Sequence, residues 1–249
     1  GFDLVLSYTG GRALDELRER LGARAVAPLY GSVDPAVHRS APPDARFRAD
    51  LSYLATYAAD RQDGVERLLI EPARRRPSLT FLVAGAQYPS GPSGIVWPKN
   101  IRLLEHAPPH EHAALYGSSP LTLSVTRAPM AALGHCPSGR LFEAAACGVP
   151  VLSDAWDGLD AFFTPGEEIL IANSAEDTLA ALELGPEALA KIGAAARART
   201  LEEHTAHRRA GQLCALIEGG IDHAGNHSGG GRGQSDPTAG LFQGALARR

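Results

Sequence analysis

Apolar positions along this chain switch repeatedly between a period of two and a period of three to four, and the switches fall at glycine and proline. Residues 2–8 (FDLVLSY) form a short β-prone run closed by Gly10 and Gly11, after which Leu14, Leu17 and Leu21 recur at helical spacing until Gly22 stops them. Residues 25–30 predict a second strand, and the irregular, proline-bearing stretch 34–44 predicts a linker. The alternation resumes at Asp50. LSYLATY reads as strand, 61–75 as helix, LTFLVAG as strand and IRLLEH as strand, with a Pro/Gly loop up to Pro98 between the last two. A short helix at 111–116, the strand LTLSV, a helix over 138–147, and the strands PVLSD and EEILIA follow. Two helices, 175–183 and 186 to about 216, complete the pattern.

Strands and helices alternating at this spacing imply right-handed βαβ crossovers and a parallel sheet covered on both faces, a Rossmann-like α/β fold. Ligands of such sheets bind at the C-terminal ends of the strands, where helix N-termini also point. Three segments are expected: residues 1–45 as the remnant of a preceding domain plus linker, 46–217 as the α/β domain, and 218–249 as a tail. The tail is rich in Gly, Ser and His and has no apolar period, so it is expected to be disordered. The chain starts at Gly1 in a strand-like run, so most of the first domain is expected to lie outside it, leaving Phe2, Leu4, Leu6, Leu14 and Leu17 as an exposed apolar patch.

Composition narrows the classes of function. With 24 basic and 28 acidic residues, a formal charge of −4, the chain carries no basic surplus that would call for nucleic acid or an anionic membrane. Small-molecule partners are expected instead. No apolar run approaches the ~20 residues that span a bilayer. Cys136, Cys147 and Cys214 are odd in number and lack CxxC spacing, which points away from a disulfide framework or structural zinc and toward a reducing cytoplasm.

The candidate chemistry sits in His135 to Asp154 (HCPSGRLFEAAACGVPVLSD). Ser138 is a plausible N-cap, Gly148 the left-handed stop, and Pro150 the start of the next strand. On a helix from Gly139, residues 139, 140 and 143 share one face, while Leu141, Ala144, Ala145 and Cys147 suit the sheet. Arg140 lies at the positive end of the helix dipole, an unfavourable place for a cation unless an anion is also bound. A nucleotide diphosphate would be that anion, approached by the backbone N–H groups of Gly139 and Arg140. Glu143, one turn on, would accept from two vicinal ribose hydroxyls. The plainer alternative is an Arg140–Glu143 surface pair.

FEAAACGVPVLSD resembles the EAmAcGvPVvas segment of retaining glycosyltransferases of the two-Rossmann-domain (GT-B) type, family 4-like, and RLFEAAACG with the preceding CPSG resembles the spore-maturation CgeB-like branch of that bacterial group. PLYGSVDP, DLSYLATYAADRQ, FLVAGAQYP and NIRLLEHAPPHEHAALYGSS resemble further segments of the family in the same order. The resemblance implies the nucleotide-sugar-binding C-terminal half of such an enzyme, with residues 1–45 left from the acceptor-side half. It places Glu143 on the donor ribose, Ser138, Gly139 and Arg140 near its phosphates or sugar, Glu105, His106 and Ala107 at the base, and Arg61 at the diphosphate. Where the family carries the first of two glutamates, eight residues before the second, this sequence has His135. His135 and Arg127, the latter just after LTLSV, are the two candidates for a catalytic role. No metal is expected: Asp154, Asp157 and Asp160 lack Asp-x-Asp spacing, and His106, His110 and His112 have no ligand-spaced partner.

The reaction implied is transfer of a sugar from a nucleotide diphosphate sugar, a co-substrate rather than a cofactor, to an unknown glycan, lipid or protein acceptor. The chain alone is expected to be inactive, and the whole protein to be cytoplasmic or peripheral to a membrane. A non-catalytic nucleotide-sugar-binding module and a nucleotide-sugar epimerase of the same fold are the alternatives.

Overall fold

The computed structural model describes residues 2–91 and 94–225. Near the N-terminus, β1 (Val5–Ser7) and β2 (Val26–Pro28) pair in parallel around α1 (Arg12–Leu21), which ends where Gly22 takes a left-handed φ of 66°. The expected apolar patch is partial: Phe2 is 84% exposed, whereas Leu4, Leu6, Leu14 and Leu17 are half-buried.

The main sheet holds β3 (Leu51–Leu54), β4 (Phe81–Ala84), β5 (Ile101–Leu104), β6 (Thr122–Ser124), β7 (Val151–Ser153) and β8 (Leu170–Ile171), all parallel, in the order β5-β4-β3-β6-β7-β8. Every residue of β3 and β4 is buried, as strands covered on both faces must be. Counted from β3, the order is that of a doubly wound sheet whose winding reverses between β3 and β6, and the diverging crossovers there open a crevice above the strand ends. Inside that seam the Ser52 hydroxyl donates to Thr122 Oγ1 at 3.0 Å.

One face of the sheet is covered by α4 (His112–Gly117), α6 (Gly139–Ala146) and α8 (Pro186–Glu203), with Leu115, Leu141, Phe142, Ala144 and Ala196 in its core. The other is covered by α7 (Ala175–Leu182) and by a helix that the apolar spacing predicts over 61–75. That helix is irregular: a 3₁₀ turn (Ala59–Arg61), α2 (Gln62–Val65), a π turn (Glu66–Ile70) and α3 (Glu71–Arg75). Pro72 is the cause, since it has no N–H to give the Leu68 carbonyl. The buried Thr178 hydroxyl of α7 supplies the missing donor, reaching Leu68 O at 3.1 Å.

Two expectations are corrected by the structure. The helix expected to run from 186 to about 216 is broken: α8 ends at Glu203, and α9 (Ala206–Gly225) starts after His204 and Thr205. The break admits the crossover from the N-terminal unit, because Val33 N donates to His204 O at 3.0 Å and Ala206 N to Val33 O at 2.8 Å. The tail does not begin at 218, since α9 continues through Gly225; the rest of that expectation, residues 226–249, lies outside the described residues. A further helix, α5 (Ala128–Leu133), follows β6 where no helix was expected; it is short, carries Pro129 in its first turn and has no fully buried residue, so no apolar stripe marked it. No helix among the described residues is long and apolar enough to cross a membrane.

Candidate functional site

The short α6 is built as the sequence requires. Ser138 is its N-cap, with Oγ 3.4 Å from Arg140 N, and Leu141, Phe142, Ala144, Ala145 and Ala146 turn into the core. Gly139, Arg140 and Glu143 are left on the half-exposed face. A Cβ on Gly31 of the crossover would lie 3.8 Å from the Gly139 Cα, so the crossover passes directly over the first turn of this helix. Arg140 and Glu143 form no ion pair with each other among the described residues.

Glu143 has other company. Its Oε2 accepts from the buried Tyr116 hydroxyl at 3.3 Å and lies 3.6 Å from Nδ1 of His112, while Nε2 of the same imidazole is 3.1 Å from the Ala107 carbonyl. Burial alone would push the carboxyl up, but His112, His38 and Arg140 together hold it below its ordinary value of 4.5. It is therefore ionised at neutral pH. The Tyr116 hydroxyl moves the opposite way, raised first by complete burial and then by the carboxylate beside it.

The second cluster surrounds the strand ends at the winding reversal. Arg61 donates to the Thr56 carbonyl just beyond β3. Arg61 and Arg140 make no ion pair among the described residues, and the field of both reaches the Tyr53 hydroxyl, opposing the burial that raises its pKa. That hydroxyl is buried and has no hydrogen-bond partner among the described residues. Tyr88 donates to the Ala55 carbonyl at 2.9 Å, and Asp154, raised by burial, accepts from Thr126 N and Oγ1 at 2.9 Å each. Arg127 is already neutralised: its Nε meets both Asp60 oxygens at 2.9 Å and its Nη2 one of them at 2.7 Å.

His135 stands apart, with a left-handed φ of 44°. Its carbonyl accepts from Gly10 N at 2.9 Å and its own N–H donates to Asp157 O at 2.7 Å, so its backbone ties the turn after β1 to the loop after β7. The ring lies against Gly158, whose φ is +81°, and a Cβ there would meet imidazole atoms at 2.4 Å. Gly158→Ala should therefore cost about 2–4 kcal/mol, from overpacking and a left-handed non-glycine residue together. Urea unfolding of Gly158→Ala and of the double variant with His135→Ala checks this: the second change should recover the steric part, and a single variant within 0.5 kcal/mol of wild type, on the order of measurement scatter, would refute the packing.

Of the residues singled out in the sequence, the fold gathers Ser138, Gly139, Arg140 and Glu143 on one helix, brings Arg61 to the same crevice, and sets Ala107 beside His112. Glu105 and His106 have exposed side chains. The residues missed are Tyr116, His38 and His112, the last considered only as a metal ligand. The signal that could have found two of them is the i,i+4 spacing of His112 and Tyr116, which puts both on one face of α4.

A family model described as glycosyl transferase-like matches residues 61–215. No curated protein matches the chain. Among solved structures, sucrose-phosphate synthase from Thermosynechococcus elongatus is similar at 16% identity and a TM-score of 0.66, over 90% of this chain and 59% of that one. Anabaena Alr3699/HepE in complex with UDP-glucose is similar at 13% identity and 0.67, over 87% and 64%. The pneumococcal O-GlcNAc transferase GtfA in complex with UDP and GlcNAc is similar at 14% identity and 0.55, over 88% and 45%. This chain thus spans less than two thirds of the length of each. Identities this low show a shared fold, the Rossmann-like domain of GT-B glycosyltransferases.

Proposed function

The chain belongs to the glycosyl transferase-like family, and on that premise we propose that its six-stranded domain binds a nucleotide diphosphate sugar whose glycosyl group passes to an acceptor. The observation that carries this reading is Glu143, an ionised carboxylate on the crevice face of α6 with Oε2 engaged by the protein and Oε1 without a donor among the described residues. Two vicinal ribose hydroxyls are suitable donors for such a group. Arg140 at the head of the same helix and Arg61 across the winding reversal are cations without carboxylate partners among the described residues, and a diphosphate supplies the charge they lack. Two similar structures contain UDP with a sugar, which agrees with a nucleotide-sugar donor.

In the transfer, an acceptor oxygen bonds to the anomeric carbon, the bond from that carbon to the diphosphate oxygen breaks, and the acceptor proton goes to a base. The role proposed for this chain is to bind the nucleoside and stabilise the charge that grows on the leaving diphosphate, through Arg61, Arg140 and the first N–H groups of α6. Arg127 is given no part in this, because Asp60 already satisfies it. His135 is assigned to joining the N-terminal unit to the site.

Calorimetric titration of the whole chain with UDP-glucose, UDP-N-acetylglucosamine and a GDP-sugar tests the reading. Binding of at least one, competed by the matching nucleoside diphosphate, is the expected result. Failure of all three to bind would overturn it.

A further inference from the structure

The imidazole of His112 spans two parts of the site. Nε2 is 3.1 Å from the Ala107 carbonyl, which can only accept, so Nε2 carries a proton. Nδ1 faces the Glu143 carboxylate at 3.6 Å, a separation that suits an ion pair rather than a direct hydrogen bond. If Nδ1 were unprotonated, its lone pair would point at that negative charge. Both nitrogens therefore have reason to be protonated together, and the ring is half-buried among groups that fix it: Tyr116 stands edge-on at 6.4 Å between centroids, and the ring joins α4 to α6.

We propose that His112 is a positioning residue which, as an imidazolium, aligns Glu143 and the Ala107 backbone for the nucleoside and makes nucleotide-sugar binding weaken as pH rises. This rests on the reading of Glu143 as the ribose contact. The carboxylate is held through Oε2 alone, by His112 and Tyr116, so that Oε1 faces the first turn of α6, 3.8 Å from the position of a Cβ on Gly139. The Ala107 carbonyl, at the other end of the ring, lies just beyond β5, so a single cation sets the spacing between two backbone and side-chain groups on different elements.

The sign follows from the charges. The other titratable groups facing this pair are Tyr116 from α4, Arg140 from α6, the buried Cys147 thiol at the end of α6, which burial and the carboxylate keep protonated, and His38 from the crossover side; Arg140 opposes protonation of His112. The Glu143 carboxylate outweighs that opposition and the partial burial of the ring, so the imidazole pKa lies above its ordinary 6.5. The arrangement is complete between the ordinary Glu value of 4.5 and the ordinary His value of 6.5, and it is lost as pH rises through the raised His112 value. Above that, the Nδ1 lone pair repels the carboxylate and turns it from its alignment.

UDP-glucose is the probe, because its diphosphate diester does not titrate in this range. Calorimetry on the whole chain should show affinity falling about tenfold between pH values on either side of the His112 transition, the size of one partly buried charge pair. His112→Gln should bind about tenfold more weakly on the acid side and show no pH dependence, while His38→Gln keeps the wild-type profile. Ring NMR of the ligand-free chain should show His112 protonated at both nitrogens at the acid end. A flat wild-type profile, a profile that follows His38, or a neutral His112 ring throughout would each overturn the proposal. Absence of binding by the wild type to any nucleotide sugar would overturn the nucleotide reading beneath it, a result distinct from binding that ignores pH.

Discussion

Arg209→Met should lower the free energy of unfolding by about 3 kcal/mol, because it strips a fork of five bonds from the base of α9 and leaves the buried His204 and the half-buried crossover carbonyls without their donor. Arg209 is 8% exposed. Its Nε donates to the carbonyls of Tyr30 and Gly31 at 3.1 and 3.3 Å, Nη1 to Glu203 O and Gln212 Oε1 at 3.1 and 3.0 Å, and Nη2 to Nδ1 of His204 at 2.8 Å. Since arginine only donates, His204 must accept at Nδ1 and is held as the neutral Nε2–H tautomer. Burial and the neighbouring cation push its pKa down to about 4. Its contribution to stability is then present above pH 6.5 and lost as pH falls from 6.5 toward 4. Arg209→Lys should retain only part of the loss-free state, because a point cation cannot span the fork. Denaturant unfolding at neutral and acid pH checks both statements. An Arg209→Met chain within 1 kcal/mol of wild type, a loss of about one ordinary hydrogen bond, would show that the crossover is held by something else.

Glu143→Ala should weaken binding of the nucleotide-sugar donor by roughly 10- to 150-fold, equivalent to about 1.5–3 kcal/mol for hydrogen bonds to a charged acceptor. Circular dichroism should be unchanged. Glu143→Gln keeps one acceptor oxygen but no charge to pair with His112, and should fall between the two. Unchanged affinity in Glu143→Ala with an intact fold would remove this carboxylate from the site.

The parallel sheet was legible because its strands are short, mostly apolar runs punctuated by glycine and proline, and the order of alternation then leaves few topologies. Helix α6 was legible to within a residue or two at each end, because Ser138, Gly148 and Pro150 are local signals. What the sequence hid was set by distant partners. The break at His204 and Thr205 has no glycine or proline to mark it, since a strand segment from the far end of the chain opens that backbone. The π turn at Glu66–Ile70 carries its cause in Pro72, but the donor that stabilises it, Thr178, comes from another helix. His112 looked like part of a histidine cluster because spacing along the chain does not disclose that its ring points at Glu143. Arg127 was read as available for a ligand for the same reason, its Asp60 partner lying in the distant 3₁₀ turn before α2.

The Arg209 clamp also bears on how this protein is made. Tyr30 and Arg209 are 179 positions apart, so at ~5–20 residues per second a ribosome supplies the clamp on the order of ten to forty seconds after the segment it fastens. Throughout that interval the sheet can grow strand by strand while the crossover waits with its carbonyls unpaired. Nascent chains arrested before α9 should therefore carry a protected sheet and a protease-sensitive crossover. Closure of so long a loop must come late in folding, which makes the docking of α9, rather than any strand of the sheet, the step that fixes the crossover lying over the first turn of α6.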